Sequence, residues 1–134
     1  MKAEATFSVS DFTPTSVTPV PAVTTATPAG VSTMKKTYAG QVAGVSATLF
    51  TAAFDPQKGI GTYVAMESFE GSVDGKRGSF NFFHSATTGG TDRVNEFFGI
   101  VPGSGTGELA GISGTGGMAI DADGTHRVWF DYTL

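Results

Sequence analysis

The sequence predicts an all-β fold: an eight-stranded antiparallel up-and-down barrel, in one domain spanning residues 1–134. Three observations lead there. The chain carries 19 glycines and 11 phenylalanines with abundant threonine, a mixture that suits strands and tight turns better than helices. Its apolar runs are separated at hairpin spacing by turn chemistry. No long run repeats its apolar residues at the 3.6-residue period of a helix. Sequential hairpins build either a sandwich or a barrel. Apolar residues on both faces of one strand (Val64 and Met66 against Tyr63, Ala65 and Phe69) favour the barrel, as do mid-strand glycines that permit sharp coiling.

The elements follow in order. Ala3 to Val9 alternate, with Ala3, Ala5, Phe7 and Val9 on one side, as a half-buried strand requires. Ser10 to Ser32 hold four of the six prolines and a single charge, Asp11. So much proline excludes a helix or a central strand, and the apolar, nearly uncharged composition is odd for a free tail. The segment is expected to cross an open end of the barrel as a covering loop, burying Phe12, Val17, Val20 and Val23. Met34 to Ala39 and Val42 to Phe54 are strands bent at Gly40 and Gly44. Asp55-Pro56-Gln57-Lys58-Gly59 is a turn in which Pro56 presets φ and Gly59 supplies a positive one. Strands over Gly61–Val73, Ser79–Thr88, Val94–Val101, Ile112–Asp121 and Arg127–Leu134 complete the count. Glu108-Leu109-Ala110 can form one helical turn at most.

Composition removes several functions. Cysteine is absent, which excludes a disulfide framework, a thiol nucleophile and a cysteine-ligated metal. Twelve acidic against eight basic residues give a net charge of −4, the wrong balance for a nucleic-acid binder. The start of the chain has no apolar signal core, and no stretch has the length of a membrane span, so the expectation is a soluble, cytoplasmic protein.

The motifs are sparse. Gly105-Thr106-Gly107-Glu108-Leu109-Ala110 matches the dinucleotide pattern G-x-G-x-x-A. That chemistry needs a long helix after the glycines, and Gly111-Ile112-Ser113-Gly114-Thr115-Gly116-Gly117 cannot supply one. The string reads as a glycine-rich connection. The two histidines, His84 and His126, stand far apart without metal-ligand spacing, so neither a metal nor another cofactor is indicated. His84 ends an apolar stripe with Phe80 and Phe82, where desolvation can bring a proton-transfer group into its working range. Glu67 sits mid-strand on the face of Tyr63, Ala65 and Phe69. Facing inward it is a buried acid needing a partner; facing outward it is ordinary surface. Alternation leaves both open.

A hairpin centred on Gly75 and Lys76 places residue 67 opposite residue 84. Glu67 and His84 would then be cross-strand neighbours on one face, an acid–base pair among aromatic rings. A one-residue bulge in the turn would send them to opposite faces.

Tyr63-Val64-Ala65-Met66-Glu67, Gly78-Ser79-Phe80 through His84, and above all Val101-Pro102-Gly103-Ser104-Gly105-Thr106-Gly107-Glu108-Leu109-Ala110-Gly111 resemble a family of small bacterial proteins of uncharacterised function. Lys36-Thr37-Tyr38-Ala39-Gly40 and Phe130-Asp131-Tyr132 also fit its pattern. The barrel of that family is grouped with that of allene oxide cyclase. The resemblance implies an eight-stranded barrel with a central cavity and no agreed activity. Barrels of this kind include cyclases that hold a flexible apolar substrate in a reactive fold. Two departures stand out: the proline- and threonine-rich character of residues 10–32, and Trp129 where a smaller polar residue is expected.

Two functions therefore compete with a third, structural one. The first is a cofactor-independent cyclase or isomerase acting on an apolar small molecule, which needs shape more than motif residues. Glu67 and His84 would be its catalytic pair, Phe80, Phe82 and Trp129 would line the cavity, and Tyr38 or Tyr63 would polarise a substrate oxygen. The second is a carrier with the same pocket. The third is a filled barrel whose outer faces form a homo-oligomer. A hydrophobic small molecule is the expected partner, and nucleic acid and membrane are not.

Overall fold

The computed structural model describes residues 1–134. Eight strands follow one another in the chain: β1 (Lys2–Pro14), β2 (Ala29–Gly40), β3 (Val42–Asp55), β4 (Ile60–Val73), β5 (Lys76–Thr88), β6 (Val94–Ile100), β7 (Ser113–Ile120) and β8 (His126–Thr133). Each pairs antiparallel with its sequence neighbour, and β1 pairs with β8 to close the barrel. The one helical element is a single 3-10 turn over Gly107–Leu109. No helix is long and apolar enough to cross a membrane.

Strand lengths explain why the two ends differ. β2 to β5 run 12 to 14 residues, whereas β6 to β8 run 7 or 8. One end is therefore even and sealed. At the other, the long strands project past the short ones and leave a concave, uncovered wall. At the sealed end Tyr38, Val42, Phe69, Val73, Phe80, Phe82, Ile100, Val128, Phe130 and Tyr132 fill the interior. The connection between β6 and β7 folds underneath, with Leu109 and Ile112 fully buried as a plug. A glycine is required there: a β-carbon on Gly105 would lie 2.0 Å from the Leu109 carbonyl oxygen. The dinucleotide-like string is thus the plug's close packing. Gly44, Gly71 and Gly78 form one row across β3, β4 and β5 at this end, the mid-strand glycines that the coil of a small barrel needs.

Three expectations change. The extended backbone covers more of residues 10–32 than the prolines suggest, since β1 continues to Pro14 and β2 begins at Ala29. Pro14 is tolerated because it stands at the strand's last position. The remaining loop does not pack down: Val17, Val20 and Val23 are 62%, 95% and 71% exposed, and from residues 10–32 it is Phe12, Pro28, Gly30 and Ser32, at or beyond its ends, that reach the cavity. The β4–β5 hairpin also turns one residue earlier than expected. Asp74 and Gly75 both take positive φ, 49° and 81°, the signature of a two-residue I′ turn, for which Asp-Gly is a preferred pair. Val73 therefore pairs with Lys76, and Glu67 stands opposite Phe82, while His84 stands opposite Ala65. The shift is two residues in register, so facing parity is kept.

Closure is weakest between β6 and β7, whose register holds the single pair Gly99↔Thr115. A slit of about 130 Å³ runs through the wall there, from His84 inside to Trp129 outside. Leu49, Met66 and Phe83 form an apolar cross-strand row on the outer surface, with exposed Val64 and Phe97 beside it.

Candidate functional site

A polar cluster lies where the packed half of the interior meets the open half. β2 alternates Met34, Lys36 and Tyr38 inward, β3 contributes Ser46, β4 Glu67 and β5 His84. Glu67 is wholly buried. Its Oε1 accepts from Tyr38 Oη at 2.5 Å and Ser46 Oγ at 2.6 Å. Its Oε2 accepts from Lys36 Nζ at 2.6 Å and His84 Nε2 at 2.5 Å. Four donors on two oxygens satisfy the carboxylate. Burial alone would push Glu67 up, but the bond from His84 and the Lys36 charge outweigh it and hold the acid down at about 2. Burial pushes the Tyr38 phenol far above its ordinary range, and the Glu67 charge beside it adds to the rise, so Tyr38 keeps its proton and donates it.

Beyond His84 the network reaches the cavity. His84 Nδ1 lies 2.8 Å from Tyr63 Oη, and Arg93 Nη2 donates to the same oxygen at 2.6 Å. The proton positions are fixed at both ends. An ionised carboxylate cannot donate, so Nε2 carries the hydrogen; a guanidinium cannot accept, so Tyr63 gives its own hydrogen to Nδ1. Burial lowers the His84 pKa despite the bond to Glu67, keeping the imidazole neutral and Nδ1 free to accept. Burial raises the Tyr63 phenol, opposed by Arg93. The arrangement is a relay, Tyr63–His84–Glu67, with Tyr63 as the member that meets the outer space. Chemically it can take a proton at Tyr63 Oη while passing another to His84, where the Glu67 charge stabilises the imidazolium.

Two spaces adjoin Tyr63. The outer one, about 480 Å³, is lined by Phe12, Phe50, Phe54, Tyr63 and Arg93 among small residues. The inner one, about 200 Å³, reaches Lys36, His84 and His126. Phe50 stacks on Tyr63 at 5.0 Å between ring centroids, and the Arg93 guanidinium lies 5.3 Å from the centroid of the same ring; these three residues border both spaces.

Most of the residues expected from sequence are brought together, in altered roles. Glu67 and His84 meet, as diagonal rather than directly opposite neighbours. Glu67 touches no cavity and acts on His84. Tyr38 is buried behind Glu67, away from the open space, while Tyr63 faces it. Phe80 and Phe82 do not line the cavity: both are buried in the packed half, Phe82 stacking on His84 at 6.1 Å. Trp129 does not face the interior, because Val128 and Phe130 on either side of it do. Its indole lies over Gly117, at the outer end of the slit. Sequence reasoning missed Lys36, Ser46, Phe50 and Arg93. Lys36 had a signal, a cation alternating with Met34 and Tyr38 on an inward face. Arg93 had none, since it lies in the loop before β6.

The fold and site define a closed eight-stranded barrel with a buried carboxylate network at the floor of an open cavity. The chain belongs to the DUF3224 family of proteins of unknown function, whose pattern matches residues 3–132. A crystal structure of a DUF3224 protein of unknown function from Shewanella oneidensis MR-1 is similar over 100% of this chain and 97% of that one, with 30% identity and a TM-score of 0.81. No curated protein matches the chain.

Proposed function

We propose that this barrel binds an apolar small molecule and acts on it as a cofactor-independent isomerase, moving a proton next to a carbonyl through Tyr63. The observation that carries the reading is the coincidence of a cavity and a relay. A space of about 480 Å³ falls within the roughly 300–1,000 Å³ usual for ligand sites, and the side chain bordering it is backed by a neutral base and a fixed carboxylate. A cyclase would use the same pocket but has no need of the relay. A carrier has none either, and a buried carboxylate with Lys36, Tyr38 and His84 all bonded to it is costly to hold without a use.

Two measurements test it. A neutral probe that fluoresces in apolar surroundings, N-phenyl-1-naphthylamine, should bind saturably to the protein and not to Gly30→Leu. Gly30 borders the outer space, and a β-carbon there meets nothing within 4 Å, so the larger side chain occupies the cavity without disturbing the strand. Exchange of the α-hydrogens of 2-tetralone in deuterated water, followed by NMR, should be accelerated by the protein and fall to background in Tyr63→Phe. No probe binding and no acceleration would reject the reading; binding with no acceleration would leave the carrier.

A further inference from the structure

The walls of both spaces carry charge of one sign. Arg93 borders the outer space, and Arg93 and Lys36 border the inner one, while no aspartate or glutamate lines either. In a chain of net charge −4 this is a local inversion. The carboxylates that balance these cations lie elsewhere: Glu67 behind Lys36, Glu96 on the slit side of Arg93. Arg93 uses one N–H on Glu96 and one on Tyr63, which leaves three of the five donors of a guanidinium for something else.

The apolar part of the wall has a shape. Gly30, Ala52, Tyr63 and Ala86 form one cross-strand row over β2 to β5, so beside Tyr63 the floor is nearly flat backbone. Phe50 and Phe54 stand on the same face of β3 on either side of Ala52, and Phe12 meets Phe50 edge-on at 6.4 Å. A slot with a flat floor and aromatic walls favours a planar ring, through offset and edge-to-face contacts.

The anion anchor and the proton relay also share one atom. Arg93 bonds the same Tyr63 oxygen that donates to His84, so a carboxylate held on Arg93 brings its adjoining carbons to Tyr63. We propose that the substrate is an aromatic 2-oxo acid, with its carboxylate on Arg93, its ring in the Phe50–Phe54 slot and its C3 hydrogen at Tyr63. This rests on the isomerase reading and narrows its substrate. Tyr63 Oη takes the C3 proton while its own hydrogen passes to His84 Nδ1. The C–H electron pair becomes the C2–C3 double bond, and the carbonyl π pair moves to the C2 oxygen. The proton on His84 returns through Tyr63 to that oxygen, giving the enol. The net change is a 1,3-proton shift that consumes no oxidant, reductant or water.

The experiment compares phenylpyruvate, its uncharged methyl ester and aliphatic 2-oxo-octanoate as substrates for C3 hydrogen exchange in deuterated water. Phenylpyruvate should show a kcat/KM at least tenfold above both. Arg93→Gln should erase the preference over the ester while the protein still binds N-phenyl-1-naphthylamine, and Arg93→Lys should restore part of it. Added salt should weaken the phenylpyruvate rate and not that of the ester. Equal rates for acid and ester overturn the anchor, and equal rates for phenylpyruvate and 2-oxo-octanoate overturn the planar slot. In either case exchange of 2-tetralone still stands for the broader reading, whereas its absence together with absent probe binding removes that reading itself.

Discussion

The same strands build two unlike halves of one interior. Toward the sealed end, β4 and β5 turn Phe69, Phe80 and Phe82 inward against Phe130, in edge-to-face and tilted contacts at 5.1–6.0 Å. Toward the open end the same two strands turn in Gly61, Tyr63 and Ala86, and the space left over is cavity. Glu67 and His84 sit on the boundary. Stability is concentrated where rings fill volume, the cavity lies where small residues leave space, and one hydrogen-bonded network is shared by both halves. Changes in the two halves should therefore separate cleanly.

The largest contrast is in the rings. Phe82→Ala empties a fully buried site and should cost about 3–5 kcal/mol in urea unfolding, whereas Phe54→Ala, 43% exposed at the open end, should cost about 0.5 kcal/mol or less. Similar losses at both positions would mean that the open half is packed in solution.

At the boundary, Glu67→Gln strands the buried Lys36 charge and should also destabilise by about 3–5 kcal/mol. The double variant Lys36→Met/Glu67→Gln should recover most of that. If the double variant is no more stable than the single one, the charge pair is not what the network holds together.

Acid should probe the same boundary. Glu67 is held below its unfolded value of 4.5, at about 2, so the unfolded chain binds the proton first and stability falls as pH drops through that window. The shift corresponds to about 3 kcal/mol. His84, lowered from 6.5, works in the same direction and begins the loss at a higher pH. Unfolding free energy should thus decline in two stages below pH 6.5, and Glu67→Gln should abolish the lower one. A single stage ending above pH 4 would contradict the assignment.

The smallest effects come from two glycines. Gly105→Ala forces a β-carbon against the Leu109 carbonyl in the plug and should cost about 1–3 kcal/mol. Gly30→Ala meets open space and should be neutral or stabilise by up to about 1 kcal/mol, because it restricts only the unfolded chain. Equal responses, measured as thermal midpoints, would remove the distinction between the ends.

The sequence by itself determined that there are eight strands, their order and the alternation within each, though not that β1 continues to Pro14 and β2 begins at Ala29, because turn residues and a period of two act locally. It determined that Glu67 and His84 face the same way, since an error of two residues in register preserves parity; the Asp74-Gly75 turn that corrects the register is also legible. The tertiary structure alone decided which stretch of each strand lies in the sealed half. That depends on where the short strands β6 to β8 stop beside the long ones, and so Phe80 and Phe82 became core when a cavity lining was expected. It alone brought Arg93 from a loop onto Tyr63, thirty residues away in the chain. Burial and charge partners are properties of the closed barrel, and no local pattern encodes them.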